Sequence, residues 1–396
     1  MQKIIERLQG DRVIWIVTLF LSFISILAVY SAISTLGYKA DGNNTRFLIK
    51  QVVMISLGLG LMYWLQKIKL NYITRLSKIL VIISAGLLAY ALLFGANLNS
   101  ADRWIKIPII GLTFQPSDMA KIALIIHTAR MLALKRDYFE SFRDGVWPIL
   151  WPILLICGLI LRANFSTAAL LAFVCFIMMF LTGVPFRHLS KLILGALGGI
   201  LIIIAIGEMA PNLLPRYKTW KNRILNKAKN DSDGNYQTDL AQYAIWEGGV
   251  LPQGPGTSST RNFMPHPYSD MIYPFIIEEY GSILGGVGLL LLYLILFYRS
   301  IKLSRNNPKM SGQLIAIGLA FMLTIQAIVN MGVAVSLFPT TGQPLPLVSM
   351  GGTSTLFTCL SIGLILSLTR EENNIGETAA ETPESQPFNS IQPAQS

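Results

Sequence analysis

Residues 310–369 read MSGQLIAIGLAFMLTIQAIVNMGVAVSLFPTTGQPLPLVSMGGTSTLFTCLSIGLILSLT and contain no Asp, Glu, Lys, Arg or His. A helix of about 20 apolar residues crosses a bilayer core, so this stretch is long enough for two crossings. The prolines of residues 338–346 separate the two, because proline cannot continue a helical hydrogen-bond ladder. The stretch therefore predicts membrane-spanning helices over residues 313–337 and 347–368, joined by an uncharged turn.

The whole chain has the composition of a membrane protein. Of its 396 residues, 53% are hydrophobic and 13% are charged, whereas soluble domains carry about 25% charged residues. This composition excludes a soluble, a disordered, a collagenous and a coiled-coil protein. Cys157, Cys175 and Cys359 lie in apolar runs without a Cys-x-x-Cys pair. We interpret them as small core residues rather than metal ligands or redox groups.

Outward from the uncharged stretch, eight further apolar segments are candidate spans. They are residues 13–36, 47–65, 79–94, 117–133, 146–161, 167–184, 192–207 and 271–298. The sequence thus predicts an all-α fold, a polytopic membrane protein of about ten transmembrane helices within residues 1–370. One large extracytoplasmic loop, residues 208–270, is predicted between helices seven and eight. The tail, residues 371–396, has five glutamates and no basic residue, and we expect it to be a disordered acidic cytoplasmic segment.

Charge predicts the orientation in the membrane. The net charge is +11, and the short loops on the side of the N-terminus hold most of the Lys and Arg, including Lys67, Arg75, Arg299 and Lys302. Short cytoplasmic loops collect Lys and Arg, so both termini are predicted to be cytoplasmic. No nucleic-acid-binding motif is visible, and we expect no nucleic-acid partner.

Ionisable residues within predicted spans are candidate functional residues. Asp118 and Lys121 are three residues apart, a spacing that places them on one helix face and allows an ion pair. That pair is either a structural salt bridge or part of a site. Glu278 and Glu279 fall in the outer half of the predicted eighth span, where each either pairs structurally or relays a proton.

The large outer loop holds two further candidates. Its basic residues lead in one block, residues 215–229, which fits either a surface amphipathic helix or a cradle for an anionic phosphate group. Asp270 ends the loop at the mouth of the eighth span. It is either an N-terminal helix cap or a partly desolvated general base.

Three motifs occur in order along the chain. They are Arg103-Trp104 with Gln115-Pro116-Ser117-Asp118 and Lys121; Gln242 with Gly254-Pro255-Gly256, Asp270 and Glu278-Glu279-Tyr280-Gly281; and Pro339-Thr340-Thr341-Gly342-Gln343-Pro344-Leu345-Pro346 with Ser349-Met350-Gly351-Gly352-Thr353-Ser354. Together they resemble the SEDS (shape, elongation, division and sporulation) family of peptidoglycan glycosyltransferases, whose members include FtsW and RodA. Asp118 stands where the family usually has Glu, and Asn164 where it commonly has Asp.

The resemblance implies a reaction. Family members polymerise lipid II, a disaccharide-peptide on undecaprenyl pyrophosphate, into β-1,4 glycan strands at the outer face of the bacterial cytoplasmic membrane. The reaction inverts the donor configuration and releases the lipid pyrophosphate. Asp270 matches the family's essential aspartate, so a catalytic role is expected for it.

The resemblance also implies binding residues and partners. The residues expected to bind substrate are Arg103, Lys121, Arg216, Arg223, Gln242, Ser349, Thr353 and Ser354, of which the last three fit helix packing through small residues equally well. No cofactor is certain, but a divalent cation, Mg²⁺ or Mn²⁺, fits the substrate pyrophosphate; the sequence has no dedicated metal cage. The expected partners are a cognate class B penicillin-binding protein, which is a transpeptidase, and other division membrane proteins.

Rival functions remain open. A lipid II flippase, which is a transporter, would need functional charges along a path through the membrane. A non-catalytic division scaffold would tolerate loss of the Asp270 charge. Within the family, the last motif favours an FtsW-like division protein over a RodA-like elongation protein.

Overall fold

The computed structural model describes residues 10–33, 44–98, 101–107, 112–209, 217, 219–222, 232–264 and 267–380. Its principal helices are α1 (Arg12–Ile33), α2 (Asn44–Leu65), α3 (Leu70–Phe94), α4 (Pro116–Leu134), α5 (Trp147–Ala163), α6 (Phe165–Leu181), α7 (Phe186–Met209), α8 (Ser232–Gly248), α9 (Ile272–Tyr280), α10 (Leu289–Asn306), α11 (Met310–Ala334) and α12 (Thr353–Ala380). A π-helical segment, Gly281–Gly288, joins α9 to α10.

The predicted spans have their counterparts in order. Within the described residues, seven helical stretches are long and apolar enough to cross a membrane. The shorter apolar helices Phe165–Leu181 and Thr353–Leu368 and the helix α4 supply the others. The chain is a multi-pass membrane protein with an all-α fold, as predicted.

The core of the bundle lies around α4 and α11. Leu124, Ile125 and Ile126 of α4 are at most 1% exposed, and 72% of the most apolar window of α11 is buried, against 6% in α7. The uncharged sequence of α11 thus reflects a central position, with helices on all sides. The helix α7 instead presents its apolar side chains outward, as a lipid-facing helix does.

A small sheet between α3 and α4 was not predicted. The strands β1 (Ala96–Leu98), β2 (Ala101–Ile107) and β3 (Leu112–Phe114) pair antiparallel in that order. Trp104 pairs with Ala96 across the first hairpin. Strands this short carry too little alternation to be recognised from sequence.

The predicted eighth span, residues 271–298, has its counterpart in the helical stretch Ile272–Asn306, but a break at Gly281 interrupts it. Gly281 ends α9 with φ +75°, a left-handed conformation that favours glycine. A Cβ at Gly285 would lie 2.5 Å from the carbonyl oxygen of Ile276, whereas residues nine apart in a straight helix are separated by about 13.5 Å. The helix α9 therefore folds back on the π-helical segment, and α10 forms the main part of the crossing.

The last helix is displaced from its predicted bounds, residues 347–368. It begins at Thr353 because Leu347 and Gly352 have φ of +67° and +53°, which a helix cannot contain. It continues to Ala380, into the segment predicted as a disordered tail, because extending an existing helix avoids the cost of nucleation. Residues 381–396 lie outside the described part.

Candidate active site

The uncharged turn, residues 339–349, joins α11 to α12 and is fixed by side chains from three helices. Backbone groups without helical partners must find others at membrane depth. The donors are Ser25 of α1 to the Val348 carbonyl (2.9 Å), Tyr293 of α10 to that of Pro346, Gln326 of α11 to that of Pro344 (2.9 Å) and Asn330 of α11 to that of Gln343 (2.8 Å). The turn is therefore a rigid surface and not a loose linker.

Asp270 faces this turn. Its Oδ1 accepts a hydrogen bond from Ser269 Oγ at 2.9 Å. Its Oδ2 would lie 3.8 Å from a Cβ placed on Gly342, and it accepts no hydrogen bond from the described residues. The N-cap of α9 is Met271, with no side-chain cap bond. The alternative role of Asp270 as a helix cap is therefore not observed, and one carboxylate oxygen stays open to a ligand.

Two amides of α11 connect Asp270 to Lys121, and neither was singled out from the sequence. Asn330 Nδ2 donates to the Asp270 carbonyl at 2.6 Å. Four residues earlier, Gln326 Oε1 accepts from Lys121 Nζ at 3.4 Å. The sequence did contain a signal, because Gln326 and Asn330 are two amides on one helix face within an uncharged run. Polar side chains within a membrane span are costly, so they are candidates for a functional role.

Asp118 and Lys121 form the predicted ion pair. Their charged atoms are 2.9 Å apart, and the side chains are 6% and 13% exposed. The second carboxylate oxygen of Asp118 is buried and has no hydrogen-bond partner among the described residues. The pair lines a cleft between α4, α11 and α12, together with Gln326 and Ser354. Its cation thus faces a cavity that is polar at one end, and the binding role of Lys121 stays a prediction.

Glu278 is fully occupied by the outer loop. Its two carboxylate oxygens accept from Ser258 Oγ (2.6 Å), from the backbone amides of Ser259 (2.9 Å) and Thr260 (3.3 Å), and from Thr260 Oγ1 (3.1 Å). The side chain is 1% exposed. These four hydrogen bonds hold residues 258–260 against α9, as a structural carboxylate does, and the proton-relay role of Glu278 stays a prediction.

Glu279 ties the same loop to α1. Its Oε1 lies 3.1 Å from Arg261 Nη1 and also accepts from Ser31 Oγ. Arg261 donates in addition to the Gly256 carbonyl at 2.8 Å. Arg261, which the sequence analysis did not weigh as a site residue, is therefore the cation that neutralises Glu279.

Four other predicted binding residues have partners within the protein. Ser349 Oγ accepts from the Leu345 amide (2.8 Å), Thr353 Oγ1 donates to the Thr113 carbonyl (3.2 Å), the Ser354 amide donates to the Gly351 carbonyl (3.0 Å), and Gln242 Nε2 donates to Ser336 Oγ (2.6 Å). Ser349 and Thr353 thus stabilise the uncharged turn and its contact with β3. Ser354 alone of these also lines the cleft beside Lys121.

The predicted arginines cannot be placed in the site. Arg216 and Arg223 lie outside the described residues, and so does the side chain of Arg103, whose backbone belongs to β2. Of the basic block, Lys221 pairs with Glu208 at 2.5 Å, and that hydrogen bond raises the pKa of Lys221. Two residues before Asp270, burial raises the pKa of Tyr268, so the Tyr268 phenol stays neutral at physiological pH.

Known proteins share this architecture. The family model described as "Cell cycle protein", for FtsW, RodA and SpoVE, matches residues 11–374. The chain belongs to the FtsW/RodA/SpoVE family. Among its relatives in this family, stage V sporulation protein E of Bacillus subtilis is 29% identical, with 92% of this chain and 98% of that protein covered. A probable peptidoglycan glycosyltransferase FtsW of Geobacter sulfurreducens is 31% identical, with 92% and 96% covered.

Solved structures of the FtsW/RodA/SpoVE family agree. A chain from a structure described as "Structural coordination of polymerization and crosslinking by a peptidoglycan synthase complex" superposes with a TM-score of 0.70 at 28% identity, covering 92% of this chain and 99% of that one. The rod shape determining protein RodA of Thermus thermophilus gives a TM-score of 0.61 at 27% identity, covering 89% and 96%. The family fold therefore extends over almost all of this chain and almost all of each solved relative.

Proposed function

We propose that this protein is a peptidoglycan glycosyltransferase that polymerises lipid II into β-1,4 glycan strands. The observation that carries the proposal is Asp270, a partly exposed carboxylate with one oxygen open beside a rigid turn. The names of the relatives support it, because a curated relative is a probable peptidoglycan glycosyltransferase. We place the reaction at the outer face of the cytoplasmic membrane, with both termini inside.

In this reaction Asp270 acts as the general base. It takes the proton of the acceptor sugar hydroxyl, whose oxygen bonds to the anomeric carbon of the donor. The bond from that carbon to the lipid pyrophosphate breaks, with inversion of configuration. Cationic side chains stabilise the charge on the departing pyrophosphate, and we assign this role to Lys121, Arg103, Arg216 and Arg223.

Two associations belong to the proposal. A class B penicillin-binding protein crosslinks the new strand, in keeping with the peptidoglycan synthase complex that contains the structural relative. We further propose a role in septal synthesis with other division proteins. A divalent cation would be held mainly through the substrate pyrophosphate, because no group of three His, Cys, Asp or Glu among the described residues could hold a metal.

The test compares lipid II polymerisation by the wild type, Asp270→Asn and Asp239→Asn. Each protein is purified with its cognate penicillin-binding protein, whose transpeptidase site is blocked. Asp239 is the matched control, because it is an exposed carboxylate in the same outer loop. We expect polymer from the wild type and the control and a rate lower by about 10²–10⁴-fold from Asp270→Asn, with all three complexes intact.

The other outcomes identify the rivals. Equal polymer from Asp270→Asn and the wild type would refute the assignment of Asp270 as the base. No polymer from any protein, with lipid II still translocated across vesicles, would favour the flippase. If neither activity is seen but the complex forms, the protein is a scaffold.

A further inference from the structure

An exposed apolar cluster lies within the outer loop, at the C-terminus of α8 and just after it. Trp246, Val250 and Leu251, here called the apolar tip, are 75%, 60% and 75% exposed. Glu247 is the only charged residue between positions 243 and 254. Such a concentration of exposed apolar side chains on an outer loop needs a partner or a lipid surface.

The position of the apolar tip is fixed by the backbone. The amide and the hydroxyl of Ser282 both donate to the Gly249 carbonyl, at 3.0 and 2.6 Å. A Cβ at Gly281 would lie 2.5 Å from the Val250 carbonyl oxygen, so the two backbones touch there. The tip is therefore held at the level of Gly281–Ser282.

Two helices show where that level is relative to the bilayer. At the cytoplasmic side Arg299 of α10 donates to Asp11, with Nε to Oδ2 at 3.0 Å. At the outer side Ser31 of α1 donates to Glu279. Along the continuous helix α1, Asp11 and Ser31 are twenty residues apart, which is a rise of about 30 Å and equals the thickness of the hydrocarbon core. Gly281–Ser282 thus lie at the outer boundary of the core.

The lipid-facing surface is continuous with the tip. Ile283 and Leu284, which follow the pinned serine, are 55% and 64% exposed. Tryptophan is enriched where hydrocarbon meets headgroups. We propose that the apolar tip inserts into the headgroup boundary of the outer leaflet and anchors α8 to the membrane surface.

The anchor acts on the site through α8. The face of α8 opposite Trp246 carries Ala241 and Ala244, which are fully buried in a cluster with Met271 and Phe275. Met271 follows Asp270 directly. Lipid contact at the C-terminal end of α8 therefore fixes the position of the Asp270 carboxylate relative to the membrane surface. This inference depends on the membrane geometry and not on the proposed reaction.

The test measures depth by site-directed fluorescence in nanodiscs. An environment-sensitive label is attached to Leu251→Cys, with Gln253→Cys and Thr257→Cys as exposed controls on the same loop and Leu197→Cys on α7 as the lipid-facing reference. The chain without an introduced cysteine gives the background from Cys157. Size-exclusion profiles and thermal unfolding show that each variant is folded.

We expect the label at 251 to be quenched by nitroxide-bearing lipid and protected from iodide, with the labels at 253 and 257 showing the reverse. Iodide access at 251 equal to that at 253 would overturn the proposal. Protection at 251 that appears only after a class B penicillin-binding protein is added would also overturn it, in favour of a protein interface.

Discussion

The two ends of α9 carry carboxylates, and the protein surrounds them in opposite ways. At the C-terminal end, Glu278 accepts four hydrogen bonds and Glu279 contacts Arg261 and Ser31. Just before its N-terminal end, the side chain of Asp270 accepts one side-chain bond from the described residues, that of its neighbour Ser269. The same chemical group thus has a saturated and an open environment nine residues apart.

This difference in hydrogen bonding distinguishes a structural carboxylate from a functional one. A buried carboxylate whose oxygens are all bonded to protein stabilises the fold, and replacing it leaves several donors without partners. A carboxylate with an open oxygen adds little to the fold and is available to a substrate. A substitution of Glu278 should therefore reduce stability more than activity, and a substitution of Asp270 should reduce activity more than stability.

The largest expected effect is on catalysis at the open end. Loss of a general base lowers a rate by about 10²–10⁴-fold, so Asp270→Asn should reduce polymerisation by this factor. Its thermal midpoint should match that of the wild type. Initial rates with labelled lipid II and an unfolding scan in detergent measure both quantities. A large fall in the midpoint would mean that Asp270 is a structural residue.

At the saturated end we expect the largest loss of stability. Glu278→Ala leaves buried donors at residues 258–260 without an acceptor, which should cost about 1–3 kcal/mol for each donor. Urea or thermal unfolding measures the loss, and Glu247→Ala is the control because Glu247 is exposed. Any folded Glu278→Ala protein should polymerise faster than Asp270→Asn. Equal stability of Glu278→Ala and the control would show that the saturated bonds do not stabilise the loop.

Asn330 lies between the two extremes, since it positions Asp270 without being part of the chemistry. Asn330→Leu removes donors to the carbonyls of Asp270 and Gln343. Because misplacement of a catalytic group by about 1 Å can cost 10²-fold, we expect a fall in kcat with KM nearly unchanged. Gln313→Leu, at the N-terminal end of the same helix, should keep full activity. A change confined to KM would contradict the positioning role.

The smallest effect is expected at Ser269. Among the described residues, Ser269 makes the one side-chain hydrogen bond to the carboxylate, which Ser269→Ala removes, and a hydrogen bond to a charged group contributes about 1.5–3 kcal/mol. Polymerisation should fall by about 10–10²-fold. Ser269→Thr, which keeps the hydroxyl, should restore the rate. A rate for Ser269→Ala as low as that of Asp270→Asn would indicate that the hydroxyl itself reacts.

The sequence predicted much of this fold for a simple reason. Membrane spans depend on local hydrophobicity, and the ion pair of Asp118 and Lys121 depends on helical spacing, so both are visible in a single chain. The break at Gly281 and the start of α12 at Thr353 depend on backbone conformation set by distant packing. Composition gave no sign of either.

The same limit applies to the candidate site. Asp270 and the uncharged turn were singled out from their positions in the sequence, and the resemblance added the expected catalytic role of Asp270. The four hydrogen bonds of Glu278 could not be predicted, because its donors lie on a loop without periodic pattern. Gln326 and Asn330 were missed although their spacing was visible, because amides carry no charge to draw attention. Their importance depends on the carbonyls of the turn, which only the structure places within reach.

The uncharged turn also constrains the order in which the protein is made. Its hydrogen bonds come from α1, α10 and α11, and the donor in α1 is 323 residues away along the chain. The ribosome has therefore released almost the entire bundle into the bilayer before the final turn can close. Until then the surface that faces Asp270 does not exist, so an unfinished chain cannot act on substrate during its own synthesis.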